Sequence, residues 1–366
     1  MRVLLYVPQM APYGGMELHV CTLAKALSSR GNCVLLISTS NSLSENARSQ
    51  LICSGVRFRE MGVERGRATT PRKALWMLVN ALLLRRECWN CVYTNGQSGL
   101  ARMAWLAGRK ATRHIHHHHT AADLAEQGSW CISFQSVLTR AESLVACSRS
   151  SQKYLSEATS RNDVSFIPYL TPVLCDKADV KALVPKRYGS MRVGFFGRLV
   201  STKGIETICR ISQREEMRSI VWEVYGVGER YSTSYFDKFE SVHYHGEYGT
   251  SEQYRQILLQ LDAVILLSLH NEGMPLSLIE AMAAGLPWAA MDRGGVRELA
   301  FSRINCEVID SNASDDHIIG AVTRMISRIR YGETSRWVQR SEYETYLSPT
   351  EVAKLWLCNF ESLSLL

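Results

Sequence analysis

Runs of apolar, strand-forming residues alternate along the chain with stretches of helical periodicity. In the first half, the predicted strands are residues 2–8, 33–38, 56–60, 91–95, 111–117, 144–148 and 164–168. In the second half, they are residues 191–197, 220–226, 241–246, 262–268, 286–291 and 305–309. This alternation predicts an α/β protein with parallel, doubly wound sheets.

The alternation lapses over residues 168–185, and a chain of 366 residues is long for one hydrophobic core. We therefore interpret the lapse as a linker between two Rossmann-like domains, residues 1–170 and 186–345. A last helical segment, residues 346–366, is expected to cross back to the first domain. Two such domains facing each other would line a cleft with the carboxyl ends of their strands, where sheets of this kind bind ligands.

The composition, with 46% hydrophobic and 21% charged residues, is that of an ordinary folded protein and excludes collagen-like and disordered classes. A formal net charge of +7 favours anionic partners, such as phospholipids or phosphorylated small molecules. The chain has no basic helix or aromatic-basic stripe of the kind that binds nucleic acid, so we do not expect nucleic acid to be a partner. The eleven cysteines are scattered and no secretory segment precedes the fold, so we expect a cytoplasmic protein.

Residues 72–86, RKALWMLVNALLLRR, combine an apolar centre with basic residues at both ends. One interpretation is an interfacial helix on anionic lipid, which would place the protein peripherally at the inner face of the cytoplasmic membrane. The other is a helix whose apolar face packs against the sheet. That face consists of Leu75, Leu78, Val79 and Leu82. The sequence leaves both interpretations open.

The stretch NEGMPLSLIEAMAAG places a glutamate on each side of an apolar segment. Pro275 is typical of a first helical turn, and the pattern predicts a helix over residues 274–284. Glu280 would lie beside small residues, where a carboxylate can accept two hydrogen bonds from sugar or ribose hydroxyls. Glu272 precedes the helix, where free N–H groups favour an anion. The alternative for either residue is a solvated glutamate.

Two strand-to-helix turns carry residues suited to phosphate groups. In FFGRLVSTKGIET, a strand ends at Gly197 and the loop then presents Arg198 and Lys203, the residue types that bind a diphosphate. In PQMAPYGGMELHV, Gly14 and Gly15 would let backbone approach a phosphate or sugar. The alternative for the first turn is a pair of solvated basic residues, and the second lacks the full dinucleotide-binding fingerprint.

The segment HIHHHHT, residues 114–120, lies at the end of a predicted strand. Side chains alternate along a strand, so neighbouring histidines face opposite sides and cannot all bind one metal ion. We expect one or two of them to point into the cleft.

Taken together, these motifs resemble a retaining glycosyltransferase of the GT-B fold, in glycosyltransferase family 4. The resemblance covers almost the whole chain, and the order and spacing of the motifs are more specific than any one of them. The five motifs are G-G-x-E at residues 14–17, the strand-end histidine, ACSRSSQKYL at 146–155, G-R-L with K-G at 197–204, and E-x7-E at Glu272 and Glu280.

The resemblance implies a role for each motif. Glu280 would bind the ribose hydroxyls, Glu272 would contact the transferred sugar, and Arg198 and Lys203 would neutralise the departing diphosphate. The residues implied to contact the base, the phosphates or the sugar are Gly14, Gly15, Gly197, Gly226, Glu247, Tyr248, Gly273, Met274, Pro275 and Leu276.

The strand-end histidine of the family is best matched by His119, which Thr120 follows, and next by His117. Its implied role is a hydrogen bond to the donor sugar near the reacting carbon. The family mechanism is front-face transfer, in which the leaving phosphate helps to deprotonate the acceptor. The chain has no Asp-x-Asp motif and two cations already face the diphosphate, so we expect neither a metal ion nor a cofactor.

The resemblance implies hexosyl transfer from a UDP- or GDP-linked sugar to a glycan or lipid-linked acceptor. The typical setting is bacterial polysaccharide biosynthesis, such as that of O-antigen, capsule or lipopolysaccharide. One alternative is a nucleotide-sugar epimerase or hydrolase of the same fold. Another is a noncatalytic glycan-binding partner of a transferase, although the intact motifs count against it. The sequence does not select among nucleotides, sugars or acceptors.

Overall fold

A computed structural model describes residues 1–10, 15–39, 43, 45–62, 70–108, 113–181 and 188–361. The chain divides into two compact units. The first consists of Met1–Pro172 with Pro349–Leu366, and the second of Val173–Ser348. Residues 186–187 and 362–366, which the sequence assigns to the second domain and to the last helical segment, lie outside the described residues.

The first unit contains a seven-stranded parallel sheet with the order β3-β2-β1-β4-β5-β6-β7. Its strands are β1 (Arg2–Val7), β2 (Cys33–Ser38), β3 (Arg57–Glu60), β4 (Cys91–Asn95), β5 (Arg113–His118), β6 (Ser143–Ala146) and β7 (Ser165–Phe166). The strand order reverses between β1 and β4, which are direct neighbours. Ligands bind such sheets outside the carboxyl ends of the strands at this reversal.

The second unit contains a six-stranded parallel sheet with the order β10-β9-β8-β11-β12-β13. Its strands are β8 (Met191–Phe196), β9 (Ile220–Tyr225), β10 (Val242–Gly246), β11 (Ala263–Leu266), β12 (Trp288–Met291) and β13 (Cys306–Ile309). Here the order reverses between β8 and β11. All thirteen predicted strands are present, and the predicted fold of two Rossmann-like parallel sheets is confirmed.

Helices cover the faces of both sheets. The first unit begins with α1 (Gly15–Ser29), α2 (Glu45–Cys53), α3 (Thr70–Leu84), α4 (Ala101–Trp105), α5 (Leu124–Gln127), α6 (Ile132–Arg140) and α7 (Arg149–Thr159). The second contains α8 (Lys177–Lys181), α9 (Ile205–Ile211), α10 (Thr233–Phe236), α11 (Ser251–Gln260), α12 (Leu276–Ala283), α13 (Asp315–Tyr331) and α14 (Arg336–Tyr346). The last helix, α15 (Pro349–Glu361), belongs to the first unit.

The core of the first unit has two layers, because successive side chains of β1 point to opposite faces of the sheet. Val3 and Leu5 join the layer that includes residues of α1 and α15. Leu4 and Tyr6 join the layer that includes residues of α3, α4 and α6. Trp356 of α15 is completely buried, and its indole N–H donates to the carbonyl of Pro168 at 3.0 Å. The C-terminal helix is therefore part of this core.

Of the two interpretations of α3, the one that packs its predicted apolar face against the sheet is wrong. The buried face of the helix consists of Met77, Ala81 and Leu84, which lie on one side because they are three or four positions apart. The apolar face that was expected to pack against the sheet is exposed: its members are Leu75, Leu78, Val79 and Leu82. The helix is apolar on both sides, so its periodicity could not identify the buried one. Among the described residues, no helix has the length and apolar character needed to span a membrane.

Candidate active site

The loop after β8 packs directly on the end of β11, at the reversal of strand order in the second unit. It closes with a 3-10 turn at Ser201–Lys203, followed by Gly204 with a φ of +77°. A Cβ at Gly204 would overlap the carbonyl oxygen of Leu267, so this position requires glycine. The amide N–H of Leu269 also donates to the carbonyl of Thr202 at 2.8 Å. The two loops are thus held together by backbone contacts.

These contacts bring Lys203 and Glu272 together. Lys203 Nζ lies 2.6 Å from Glu272 Oε1, and Ser268 Oγ donates to the same oxygen. The Nε2 atom of His270 is 3.7 Å from it. Burial by itself would raise the pKa of Glu272, but the charge of Lys203, that of His270 when its ring is protonated, and the two hydrogen bonds outweigh burial and lower it. Glu272 is therefore ionised, although only 8% of the residue is exposed.

The loop after β12 fixes the backbone of Glu272. The amide N–H of Gly295 donates to the carbonyl of Glu272 at 3.0 Å, and Glu272 pairs with Gly294 in an isolated parallel bridge. Gly294 has a φ of +61°, and a Cβ there would overlap the carbonyl oxygen of Glu272. A larger residue at position 294 would therefore displace the carboxylate that Lys203 contacts.

The second glutamate lies on α12, which begins at Leu276. Pro275 is the N-cap, with an extended backbone, so the predicted start at Met274 is two residues early. The Oη atom of Tyr254 donates to Glu280 Oε2 at 2.7 Å. Burial raises the pKa of Glu280 to about 7, against the lowering effect of the Tyr254 hydrogen bond. Glu280 is thus a half-buried carboxyl that titrates near neutrality, and it is not a solvated one.

An aromatic cluster adjoins Glu280. The Tyr254 ring lies 4.5 Å from that of Tyr248 and 5.0 Å from that of Phe196, measured between centroids. Phe196 also stacks on Tyr225 at 5.0 Å. The sequence singled out Tyr248 but missed the other three residues. Phe196 and Tyr225 end β8 and β9, where strand propensity alone explains an aromatic residue, and Tyr254 belongs to α11.

The other donor-binding residues named from the sequence lie in the loops at the same edge of the second sheet, or open α12. Gly197 follows β8 directly, and Gly226, which follows β9, donates its amide N–H to the carbonyl of Gly246 at 2.7 Å. Gly273, Met274 and Pro275 are buried, Leu276 is half-buried, and Arg198 and Glu247 are exposed. The structure therefore collects these predicted residues at one edge, with Lys203 rather than Arg198 in contact with Glu272.

The first unit carries the remaining predicted residues. Gly14 lies outside the described residues, and Gly15 is the exposed first residue of α1. His119 follows β5, and its Cε1 atom would lie 3.9 Å from a Cβ placed at Gly96, in the loop after β4. Tyr169 Oη donates to the carbonyl of His119. His119 therefore lies near the carboxyl ends of β4 and β5.

The neighbouring histidines are interior residues. His116 and His118 contact Phe134 on one side of the sheet. On the other side, His117 Nδ1 lies 2.9 Å from the Tyr93 hydroxyl, and its ring contacts Trp356. The predicted alternation is confirmed, but all three are buried. Burial lowers the pKa of His117 well below its ordinary value, so it is neutral. Of the two histidines proposed for the site, His119 is the one with solvent exposure.

Among the described residues, no group of three or more histidine, cysteine, aspartate or glutamate side chains is placed to hold a metal ion. The expectation that the protein needs no metal stays a prediction. At this edge of the second sheet, positive charge is carried by Lys203, which is paired with Glu272, and by the exposed Arg198 of the same loop.

Comparison with known families and structures gives consistent results. Residues 14–169 match the family described as glycosyl transferase 4-like domain, and residues 190–328 match glycosyl transferases group 1. None of the curated proteins matches the chain.

Three solved structures are similar over almost their whole length. Sucrose-phosphate synthase from Thermosynechococcus elongatus has a TM-score of 0.79 at 16% identity, covering 99% of this chain and 98% of that one. Anabaena HepE in complex with UDP-glucose has a TM-score of 0.73 at 17% identity, covering 98% and 99%. The lipopolysaccharide outer core galactosyltransferase WaaB, in its apo form, has a TM-score of 0.71 at 16% identity, covering 99% of both chains. At these identities the likeness shows a shared fold.

Proposed function

Because the chain belongs to the glycosyltransferases of the GT-B fold, we propose that it transfers a hexose from a UDP- or GDP-linked donor with retention of configuration. The acceptor is a glycan or a lipid-linked glycan in bacterial polysaccharide biosynthesis. Two similar structures support this proposal. HepE was solved with UDP-glucose, which supports the donor, and WaaB is a lipopolysaccharide outer core galactosyltransferase, which supports the setting.

The observation that carries the proposal is the pairing of Lys203 with Glu272 at the strand reversal of the second unit. A nucleotide-sugar donor needs a cation at its diphosphate and an acceptor of hydrogen bonds at its sugar, and this pair supplies both within 2.6 Å. The ammonium group stabilises the charge that develops on the leaving diphosphate. The exposed Arg198, in the same loop as Lys203, adds a second cation.

The surroundings of Glu280 support a nucleotide-binding role. Its carboxyl lies beside the aromatic cluster of Phe196, Tyr248 and Tyr254. Phe196 and Tyr254 are buried, and the half-buried Tyr248 offers a ring against which a base can pack. Hydrogen bonds from ribose hydroxyls would favour the ionised form of a carboxyl whose pKa burial has raised to about 7. Donor binding would therefore give Glu280 hydrogen bonds from ribose in addition to the one from Tyr254.

The engagement of Glu272 favours transfer without a protein nucleophile. One of its oxygens already accepts hydrogen bonds from Lys203 and Ser268. A carboxylate held in this way is suited to orient sugar hydroxyls, and it is less suited to attack the reacting carbon. In the proposed front-face mechanism, the leaving phosphate takes the proton of the acceptor hydroxyl, and His119 donates a hydrogen bond to the sugar.

A panel of UDP- and GDP-linked hexoses, incubated with and without acceptor glycans, tests the proposed activity. Transfer with the anomeric configuration retained, read by NMR, supports it. An isomerised nucleotide sugar formed without acceptor would instead indicate an epimerase, and free sugar alone a hydrolase. A protein that binds glycans but consumes no donor would be a noncatalytic partner. Transfer with inverted configuration would refute the retaining mechanism.

We also propose an anionic membrane surface as a partner. The α3 surface consists of the exposed apolar residues Leu75, Leu78, Val79, Leu82 and Leu83, with the exposed Arg72, Arg85 and Arg86 at its ends. Lys73, by contrast, is buried. Apolar insertion combined with attraction to anionic headgroups suits peripheral binding, and a lipid-linked acceptor would then be close to the enzyme.

Vesicle flotation tests the α3 surface. The protein should bind vesicles that contain phosphatidylglycerol at low salt, and binding should weaken as salt rises. The double change Arg85→Glu and Arg86→Glu should release it, yet transfer to a soluble acceptor should continue. The matched control changes Arg30 and Arg140, which are exposed elsewhere on the first unit, to Glu. Equal release by both variants, or no binding by the unmodified protein, would refute this partner.

A further inference from the structure

His270 contacts the charged pair described above, but none of the sequence motifs includes it. Its Nδ1 atom lies 3.2 Å from the carbonyl oxygen of Thr202. Because a carbonyl oxygen can only accept, Nδ1 carries the hydrogen and donates it. The other ring nitrogen, Nε2, is 3.7 Å from Glu272 Oε1, the same oxygen that Lys203 contacts.

This fixed orientation ties the charge of His270 to the state of Glu272. When the ring is neutral, Nε2 presents a lone pair towards a carboxylate, which is unfavourable. When the ring is protonated, Nε2 presents an N–H and a positive charge, which is favourable. Which form of the His270 ring is favoured depends on how much of the negative charge of Glu272 another cation already neutralises. In the free protein, Lys203 is that cation.

We propose that His270 takes over from Lys203 as the cationic partner of Glu272 when a nucleoside diphosphate binds. This inference rests on the proposed function, since it requires a diphosphate at Lys203. The ammonium group sits on a flexible four-carbon stem and can turn towards the diphosphate. Glu272 would then keep the Ser268 hydrogen bond but no cation. A buried carboxylate without a counter-charge is costly, and a proton taken from solution onto Nε2 offsets that cost.

The charged groups around this point come from three loops. Lys203 lies in the loop after β8, and His270 and Glu272 lie in the loop after β11. The loop after β12 contributes Arg293, whose guanidinium donates to the carbonyl of Ser311 at 2.7 Å. The exchange therefore involves the cations Lys203 and His270 and the carboxylate of Glu272, and a fraction of a proton up to one passes from the buffer to the protein.

Titration calorimetry in buffers of different ionisation enthalpy counts this proton. At pH 8 the terminal phosphate of UDP or GDP is already ionised, so its own proton does not contribute. The unmodified protein should take up on the order of 0.5 proton for each nucleotide bound. His270→Gln, which cannot be protonated, should bind nucleotide without uptake. The control His317→Gln removes an exposed histidine on α13 and should keep the uptake.

Lys203→Met separates an exchange of cations from simple titration. In this variant His270 is already the partner of Glu272 before nucleotide arrives, so binding should weaken and proton uptake should vanish. Equal uptake by His270→Gln and the unmodified protein would overturn the inference, as would nucleotide binding without any uptake by the unmodified protein. No binding of UDP or GDP in any buffer would instead refute the proposed function, and this inference with it.

Discussion

Glu280 is expected to destabilise the free protein at neutral and higher pH. Its pKa is about 7 in the folded protein, against 4.5 for an ordinary glutamate, because burial disfavours the charged form. Each pKa unit is worth about 1.4 kcal/mol, so ionising this group in the folded state costs about 3 kcal/mol. Because folding raises this pKa, the protonated Glu280 makes its full contribution to the free energy of unfolding below pH 4.5. That contribution is lost as the pH rises through 7.

Glu280→Gln removes this titration but keeps an oxygen that can accept the Tyr254 hydrogen bond. The variant should gain stability relative to the unmodified protein as the pH rises, by about 1 kcal/mol at pH 5 and about 3 kcal/mol at pH 8. For a unit of this size, 3 kcal/mol corresponds to a shift of about 6 to 12 °C in the melting temperature. The same variant should bind nucleoside diphosphate more weakly, because it loses a carboxylate that accepts from ribose.

Differential scanning calorimetry at pH 5 and pH 8, without ligand, measures the difference. Glu252→Gln is the control, because hydrogen bonds from Arg255 lower the pKa of this exposed carboxyl to about 2. Its replacement should not stabilise the protein at pH 8. A Glu280→Gln stability difference that is the same at both pH values would refute the burial argument.

Three further predictions follow from other parts of the structure. Lys203→Ala should lower kcat by about 100-fold or more in a transfer assay, whereas Lys354→Ala, which breaks an exposed ion pair on α15, should not. Gly294→Ala should destabilise the second unit by more than about 1 kcal/mol in thermal melts and lower activity, because its methyl group overlaps the backbone at Glu272. Burial lowers the pKa of His19 to about 3. Below pH 6.5 the unfolded chain therefore binds a proton at His19 that the folded chain does not. As the pH falls below 6.5, the free energy of unfolding should decrease by up to about 1.4 kcal/mol per pH unit more steeply than in His19→Gln, which keeps the buried His116 and His117.

The strands were predictable because parallel strands buried on both faces are continuous apolar runs, such as VLLYV in β1. The pairing of Lys203 with Glu272 was not predictable from their spacing. They are 69 positions apart, and only the adjacency of β8 and β11 brings them together. The resemblance predicted that both residues bind the donor, but their direct contact could be predicted only from the strand order.

The missed residues belong to no motif. Tyr254 lies in the middle of α11, and its orientation towards Glu280 depends on how α11 and α12 pack. His270 is one residue in a loop, and its role depends on which carbonyl its ring meets. The predicted buried face of α3 was wrong for a different reason. The helix is apolar on both sides, so its hydrophobic periodicity does not indicate which side is buried. Tertiary contacts decide each of these cases.

The first unit is discontinuous in the chain, and this has a consequence for synthesis on the ribosome. Trp356 and Phe360 fill its core beside Tyr93 and His117, yet they emerge after the whole second unit. A nascent chain that ends at Pro172 holds every strand of the first sheet but leaves that buried aromatic surface open. The second unit can therefore fold first, because the core of the first unit is complete only after α15 has been synthesised.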